Sequence, residues 1–220
     1  METSKVTHFN LEVDMKNAIT FESDTLTTLF YTARKKKNHY ELVSVESGAM
    51  LIRLGKWEYL VEAGEMFWLP FDSLISETVV PNSTISRICF SIRTRENLPH
   101  QGGYLHSTPL LCAALNKLQT KTINNEAQQR LLSVIQDEIL DSTCHTLLSD
   151  KSNSITRYVA ELGKSTIPED VDLSADMMML LKVREADKLR KSGGKMDVIA
   201  ERLFEGNVQL MEQAFAILSE

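Results

Sequence analysis

A change of texture near residue 99 constrains this chain more than any single motif does. Before it, apolar residues come in short runs rich in β-branched and aromatic side chains; after it, they recur at helical spacing. Tyr40 to Glu46, Met50 to Leu54, Trp57 to Val61, Glu65 to Leu69 and Ile85 to Ile92 are bounded by Gly, Pro, Asn or Ser, as strands closed by turns are. Only Gly55-Lys56 separates the second run from the third, and glycine in the first position suits a type II′ hairpin turn. Short strands at this spacing predict an antiparallel sandwich or barrel.

Downstream, Gln101-Gly102-Gly103 acts as a breaker, and Thr108-Pro109 predicts an N-cap followed by proline at the first helical position. Leu110, Leu111, Ala114, Leu115 and Leu118 then keep helical spacing. Asn124-Asn125 opens a second helix whose apolar stripe is Ala127, Leu131, Val134, Ile135 and Ile139. The pair makes a helical hairpin whose stripe needs burial, against the chain's own strands or against a symmetry mate; both remain open. Ser149 to Ser154 (SDKSNS) reads as a linker. Helices are expected over Ile155 to Leu162 (ended by Thr166-Ile167-Pro168), about Leu173 to Lys191, Met196 to Leu203 and Val208 to Leu218. The expected class is α+β, divided as 1–98 for the β unit, 104–148 for the hairpin and 154–220 for the C-terminal helices.

Composition excludes several functions. No run of eighteen apolar residues exists, so no membrane span is expected, and the polar start METSKVTHFNLEVD lacks a signal peptide's apolar core. A cytoplasmic protein is the expectation. Cys89, Cys112 and Cys144 lie too far apart for a metal knuckle and are expected as free thiols. The net charge is −6, and from Lys151 onward ten Lys and Arg face twelve Asp and Glu. Because phosphate neutralisation dominates nucleic-acid affinity, this balance opposes strong autonomous DNA binding.

The strand block from Tyr40 to Ile92, with Gly48, Ala63-Gly64-Glu65 and Trp68-Leu69-Pro70, resembles the cupin sensor domain of AraC-type transcription regulators. In metal-binding cupins, histidines stand four and six residues before a glutamate. Here Glu41 takes the glutamate place, Lys37 and Lys35 stand where the histidines would, and Leu74-Ile75 replaces the later one. An ammonium cannot do an imidazole's work as a ligand, so neither metal, cofactor nor enzyme activity is expected. If the barrel holds an effector, the resemblance points to Glu41, Trp57, Phe67, Trp68 and Phe90 as lining; the alternative is that these side chains fill the core. The run Arg34-Lys35-Lys36-Lys37 is either a solvated turn or an attractor for an acidic ligand.

Ser107-Thr108-Pro109-Leu110-Leu111 resembles the start of the dimerisation hairpin in that family, which implies a homodimer. Ile199-Ala200-Glu201-Arg202-Leu203, Gly206-Asn207-Val208 and Ala214-Phe215 resemble its second helix-turn-helix, and Lys182, Ala186 and Leu189 the helix before it. In that register Phe204 falls on the turn glycine, Glu205 on an apolar anchor, and Gln213 and Ala216 on basic positions. The first helix-turn-helix has too little chain, its place being taken by acidic residues and the Met177-Met178-Met179 run, which either packs internally or meets a partner. The resemblance implies DNA contacts from Asn207, Gln209, Glu212 and Gln213, with Lys182 and Arg184 near the backbone. Two expectations follow: a weakened DNA-binding regulator, or a regulator that pairs with a full-length paralogue or other protein without touching DNA.

Overall fold

A computed structural model describes residues 18–94, 96–120, 122–164 and 171–218. The opening segment, the Thr166-Ile167-Pro168 break and Glu220 lie outside the described residues. Among the described residues ten strands come first, β1 (Ile19–Leu26), β2 (Phe30–Tyr31), β3 (Lys35–Lys36), β4 (Tyr40–Ser47), β5 (Ala49–Leu54), β6 (Trp57–Glu62), β7 (Met66–Leu69), β8 (Leu74–Val79), β9 (Ser83–Phe90) and β10 (Gly103–Leu105), and an eleventh, β11 (Cys144–His145), follows two helices. The helices are α1 (Pro109–Gln119), α2 (Asn125–Leu140), α3 (Asp150–Glu161), α4 (Ala175–Lys191), α5 (Met196–Leu203) and α6 (Val208–Ala214), with a closing 3-10 turn over Phe215–Leu218. No helix among the described residues is long and apolar enough to cross a membrane.

The strands pair antiparallel throughout and form two sheets, β1-β9-β4-β7-β10-β11 and β2-β8-β5-β6, with β3 on β8. The expected barrel is therefore two facing sheets rather than a closed cylinder. Gly55 turns the β5–β6 hairpin at φ 64, and the Leu54–Trp57 pair closes the ladder beneath it. Cβ alternation sends Val43, Val45, Phe67, Leu69 and Ile85 inward against Met50, Ile52, Tyr59, Val61 and Val79 of the second sheet. The intervening residues Leu42, Trp68, Ile88 and Phe90 face outward and meet α1 and α2 through Leu111, Leu115, Leu118, Leu132, Ile135 and Ile139. Burial on both faces explains why apolar residues stand at successive positions in these strands.

Ile135 and Ile139 of the expected stripe are buried against the chain's own sheet together with Leu132, which the stripe did not include, while Ala127, Leu131 and Val134 stay half-buried. The predicted Thr108 cap forms, its Oγ1 accepting from the Leu111 amide at 3.1 Å, and at the predicted start of the second helix Asn124 Oδ1 accepts from the Ala127 amide at 2.8 Å. β10 and β11 flank the hairpin and extend the first sheet, so that sheet draws on chain from both sides of it.

The expected linker is a helix. Ser149 caps α3, accepting from the Ser152 amide at 3.1 Å, and Ser152 itself is fully buried. The reason is the free edge of β6. Its outward amides at Glu58, Leu60 and Glu62 meet Thr156 Oγ1 at 2.9 Å, Ser152 Oγ at 3.0 Å and Glu65 Oε2 at 2.8 Å. Polar residues that resemble linker chemistry are here the hydrogen-bond partners of an edge strand. The outer face of the second sheet (Leu51 and Leu60, with Leu29 beside it) packs on Ile155, Tyr158, Leu180, Leu181, Val183, Ala186 and Ile199. Met177, Met178 and Met179 lie half-buried against the same cluster.

Candidate functional site

Between the sheets, at the end nearest β3 and β8, sits a knot of charge in an otherwise apolar interior. Glu41 from β4 and Glu77 from β8 share two cations, Lys37 and Arg87. Lys37 Nζ contacts Glu41 and lies 3.0 Å from Glu77, while Arg87 contacts Glu41 and donates to Glu77 at 2.7 Å. All four side chains are buried, and His39 adds a contact to Glu41 at 3.2 Å. Burial pushes the Glu41 carboxyl up, but the Lys37 and Arg87 charges outweigh it and hold the group well below the usual range. Burial likewise lowers Lys37, and Glu41 with Glu77 more than reverses that, so the ammonium titrates above its ordinary value. The lysine at the expected histidine place thus closes onto the very glutamate a cupin metal would use.

One potential donor set went unnoticed in the sequence: His39, Glu41 and Cys89 bring their ligating atoms within 4.8 Å of one another. Register across β4 and β9 creates it, since Glu41 pairs with Cys89. The chemistry does not fit a resident divalent ion. Glu41 is already held by an ammonium and a guanidinium, and burial together with the Glu41 charge pushes the Cys89 thiol well up, away from thiolate.

The five expected lining residues do not share one pocket. Glu41 is locked in the charge knot, and Phe67 is fully buried in the inter-sheet core against Tyr59 and Tyr104. Trp68 and Phe90 point the other way, toward the hairpin, with the Trp68 indole donating to the Pro99 carbonyl at 2.8 Å. Trp57 lies at the β5–β6 turn, 38% exposed, beneath the Lys56 ammonium. Register decides this: Phe67 and Trp68 are neighbours and must face opposite sides of a strand.

The C-terminal helices form a helix-turn-helix with a turn different from the one expected. Phe204 has φ −131 and is 3% exposed, so it is the buried anchor; Glu205 carries the left-handed backbone at φ 54 and points to solvent, followed by Gly206 at φ 80. The apolar and left-handed roles each fall one position from where the register expects them, exchanged between Phe204 and Glu205, and this turn buries no carboxylate. Asn207 then caps α6, accepting from the Leu210 amide at 2.9 Å. Gln209, Glu212 and Gln213 are exposed along α6, and Met211 is buried beneath it.

Arg184 is not near any outer surface. It is 2% exposed and donates to Glu58 of β6 at 3.0 and 3.3 Å and to Thr78 of β8 at 3.0 Å. The expectation that it approaches a DNA backbone is overturned, because a desolvated guanidinium in a forked pair with a carboxylate is not free for phosphate. Lys182, two residues earlier, stays half-buried. Sequence reading also missed Asp187, buried and gripped by Tyr31 at 2.5 Å and Lys191 at 2.8 Å.

Along the chain, a strand unit is followed by a helical hairpin and then by the pair of short helices α5 and α6. No protein-family model matches the chain, and no curated protein matches its sequence. Among solved structures, ToxT K231A of Vibrio cholerae strain SCE256 aligns with 90% of this chain and 93% of its own at 9% identity and a TM-score of 0.42. ToxT of Vibrio cholerae O395 aligns over 91% and 94% at 12% identity and 0.41. A cupin-2 domain protein of Shewanella frigidimarina aligns with 33% of this chain and 70% of its own at 19% identity and 0.29. These likenesses are remote.

Proposed function

We propose that the chain is a transcription regulator of AraC type, with a metal-free strand unit and no enzymatic activity. The observation that carries this is the C-terminal turn: Phe204 buried, Glu205 left-handed, Asn207 capping, and a short helix left exposed on the side away from its packing. That is how a recognition helix is presented to a major groove. Gln209, Glu212 and Gln213 are its candidate base contacts. The grip on phosphate is weak, since residues 203–218 contain no Lys or Arg, and Lys195, just before α5, and Arg202 within it must serve. The metal-free reading rests on Lys37 and Arg87 already neutralising Glu41.

A second reading is supported by the withdrawal of Arg184 into the β unit and by the acidic balance. In it the protein acts in the cytoplasm as a homodimer, or paired with a larger AraC-type chain, without touching DNA. Selection from random duplex DNA at low ionic strength, followed by a salt titration of retention, separates the two. Enriched sequences that Gln209→Ala and Gln213→Ala no longer bind support the first reading. No salt-sensitive retention on any duplex sinks it, and co-purification of a larger regulator then supports the second.

A further inference from the structure

A cleft of about 440 Å³ opens where the edge of the second sheet meets α4, lined by Tyr31, Thr32, Arg34, Arg53, Lys188 and Lys191 together with small residues. Four of these side chains are cationic, and no carboxylate lines the cleft. Two of the cations are only partly neutralised: Lys191 pairs with Asp187 at 2.8 Å and Lys188 with Glu185 at 3.8 Å. The other two make no ion pair: Glu58, across the ladder from Arg53, is engaged by Arg184 instead. Among the described residues Arg34 makes no ion pair and donates only to the Gly55 carbonyl, at 2.8 Å, while Arg53 makes none and keeps its buried Nε without a hydrogen-bond partner. Arg184 leaves the same nitrogen without a hydrogen-bond partner inside its closed pair with Glu58, so what sets Arg53 apart is that it makes no ion pair and borders an open cleft.

We propose that this cleft binds a compact, multiply charged anion, a phosphate ester or a polycarboxylate, held between Arg34 and Arg53 of the sheet and Lys188 and Lys191 of α4. Size and charge point the same way. The volume is that of a small-metabolite pocket rather than a polymer groove, and four convergent cations exceed what one carboxylate needs. Excess positive charge is already felt by Lys188, which burial and the Arg184 and Arg53 charges together push below its ordinary value. The site goes beyond the regulator reading and holds whether or not α6 meets DNA. Its ligand bridges the strand unit and the C-terminal helices, so occupancy fixes α4 on the sheet.

Titration calorimetry of the full chain with inorganic pyrophosphate at constant ionic strength tests this, with citrate as the carboxylate arm. Saturable binding at one site per chain is expected for at least one of the two, weakened about tenfold or more by Arg53→Gln and by Arg34→Gln. Arg34 is exposed, so its variant keeps the test open should Arg53→Gln not fold. Lys56→Gln, at the exposed β5–β6 turn, is the control and leaves affinity unchanged. The proposal is overturned if neither anion binds saturably, or if Lys56→Gln weakens binding as much as Arg34→Gln.

Discussion

Arg184 on α4 and Glu58 on β6, 126 residues apart in sequence, form a two-pronged ion pair with both side chains 3% exposed. The pair fastens the C-terminal helices to the second sheet, with Thr78 as a third partner and the apolar cluster of Leu51, Leu60, Leu181 and Val183 packed between the same elements. Removing one partner strands the other charge out of water, whereas replacing both by apolar groups does not.

Arg184→Met is therefore expected to cost about 3–5 kcal/mol, and the double variant Arg184→Met with Glu58→Met to recover most of it. Urea midpoints of the three proteins measure this. A single-variant cost below about 1 kcal/mol, the range of a solvated surface pair, would show that the pair is screened and that the apolar cluster alone docks the helices.

The turn before α6 supports a second prediction. Glu205 occupies a left-handed conformation that strains residues carrying a Cβ, and its side chain is exposed. Glu205→Gly should stabilise the protein by about 0.5–1 kcal/mol. Phe204→Gly, which would place glycine where the family register puts it, should destabilise by about 3 kcal/mol or more because the ring is buried. Thermal unfolding of both variants decides the register; the reverse ranking would restore the original alignment.

That one-position displacement illustrates what could be read without coordinates. Thr108 was legible as a cap and Asn124 as a helix start because a cap and its amide lie within three residues of each other. The strands β4 to β7 and β9 were legible because β-branched, aliphatic and aromatic residues dominate them between turn residues, even with Glu41, Arg53, Glu58 and Arg87 among them. β1 and β8 were not, since Glu22, Asp24 and Glu77 interrupt the alternation. Glu77 is tolerable inside only because Lys37 and Arg87 arrive from other parts of the chain. Ser152 and Arg184 were misread for the same reason: each is explained by a partner at least ninety residues away. Local chemistry is written in local sequence, and burial of polar groups is not.

The charge knot sets the response to pH. Glu41 titrates well below its ordinary value in the folded protein, and Asp187, despite the burial that raises it, is held down by Lys191, Tyr31 and Arg190. Both groups bind protons more readily when unfolded, so their stabilisation is present above the unfolded carboxylate range, about pH 4, and is lost as pH falls toward the folded values. Lys37 is raised, so its share is complete below about pH 10 and declines only above that. Urea midpoints should hold level through neutral pH and fall steeply below about pH 5, and Asp187→Asn should shallow that acid limb. An acid limb unchanged by Asp187→Asn would mean that other carboxylates govern it.

The edge of β6 gives the last prediction. Ser152 accepts the Leu60 amide at 3.0 Å inside a fully buried contact, and Thr156 accepts the Glu58 amide at 2.9 Å two residues along the same edge. Ser152→Ala leaves a buried N–H without a partner, a cost of about 1–3 kcal/mol. Ser149→Ala removes the helix cap and the 2.9 Å contact between the Ser149 and Ser152 hydroxyls, but leaves Ser152 in place to accept the Leu60 amide, and should cost about 1 kcal/mol. The two differ in where the loss appears. Hydrogen exchange in Ser152→Ala should quicken at the Leu60 amide itself, while in Ser149→Ala it should quicken at the first turn of α3 and spare β6. If Ser152→Ala left the Leu60 amide as protected as before, α3 would be covering the edge by bulk alone, and the hydroxyl would have no part in holding it.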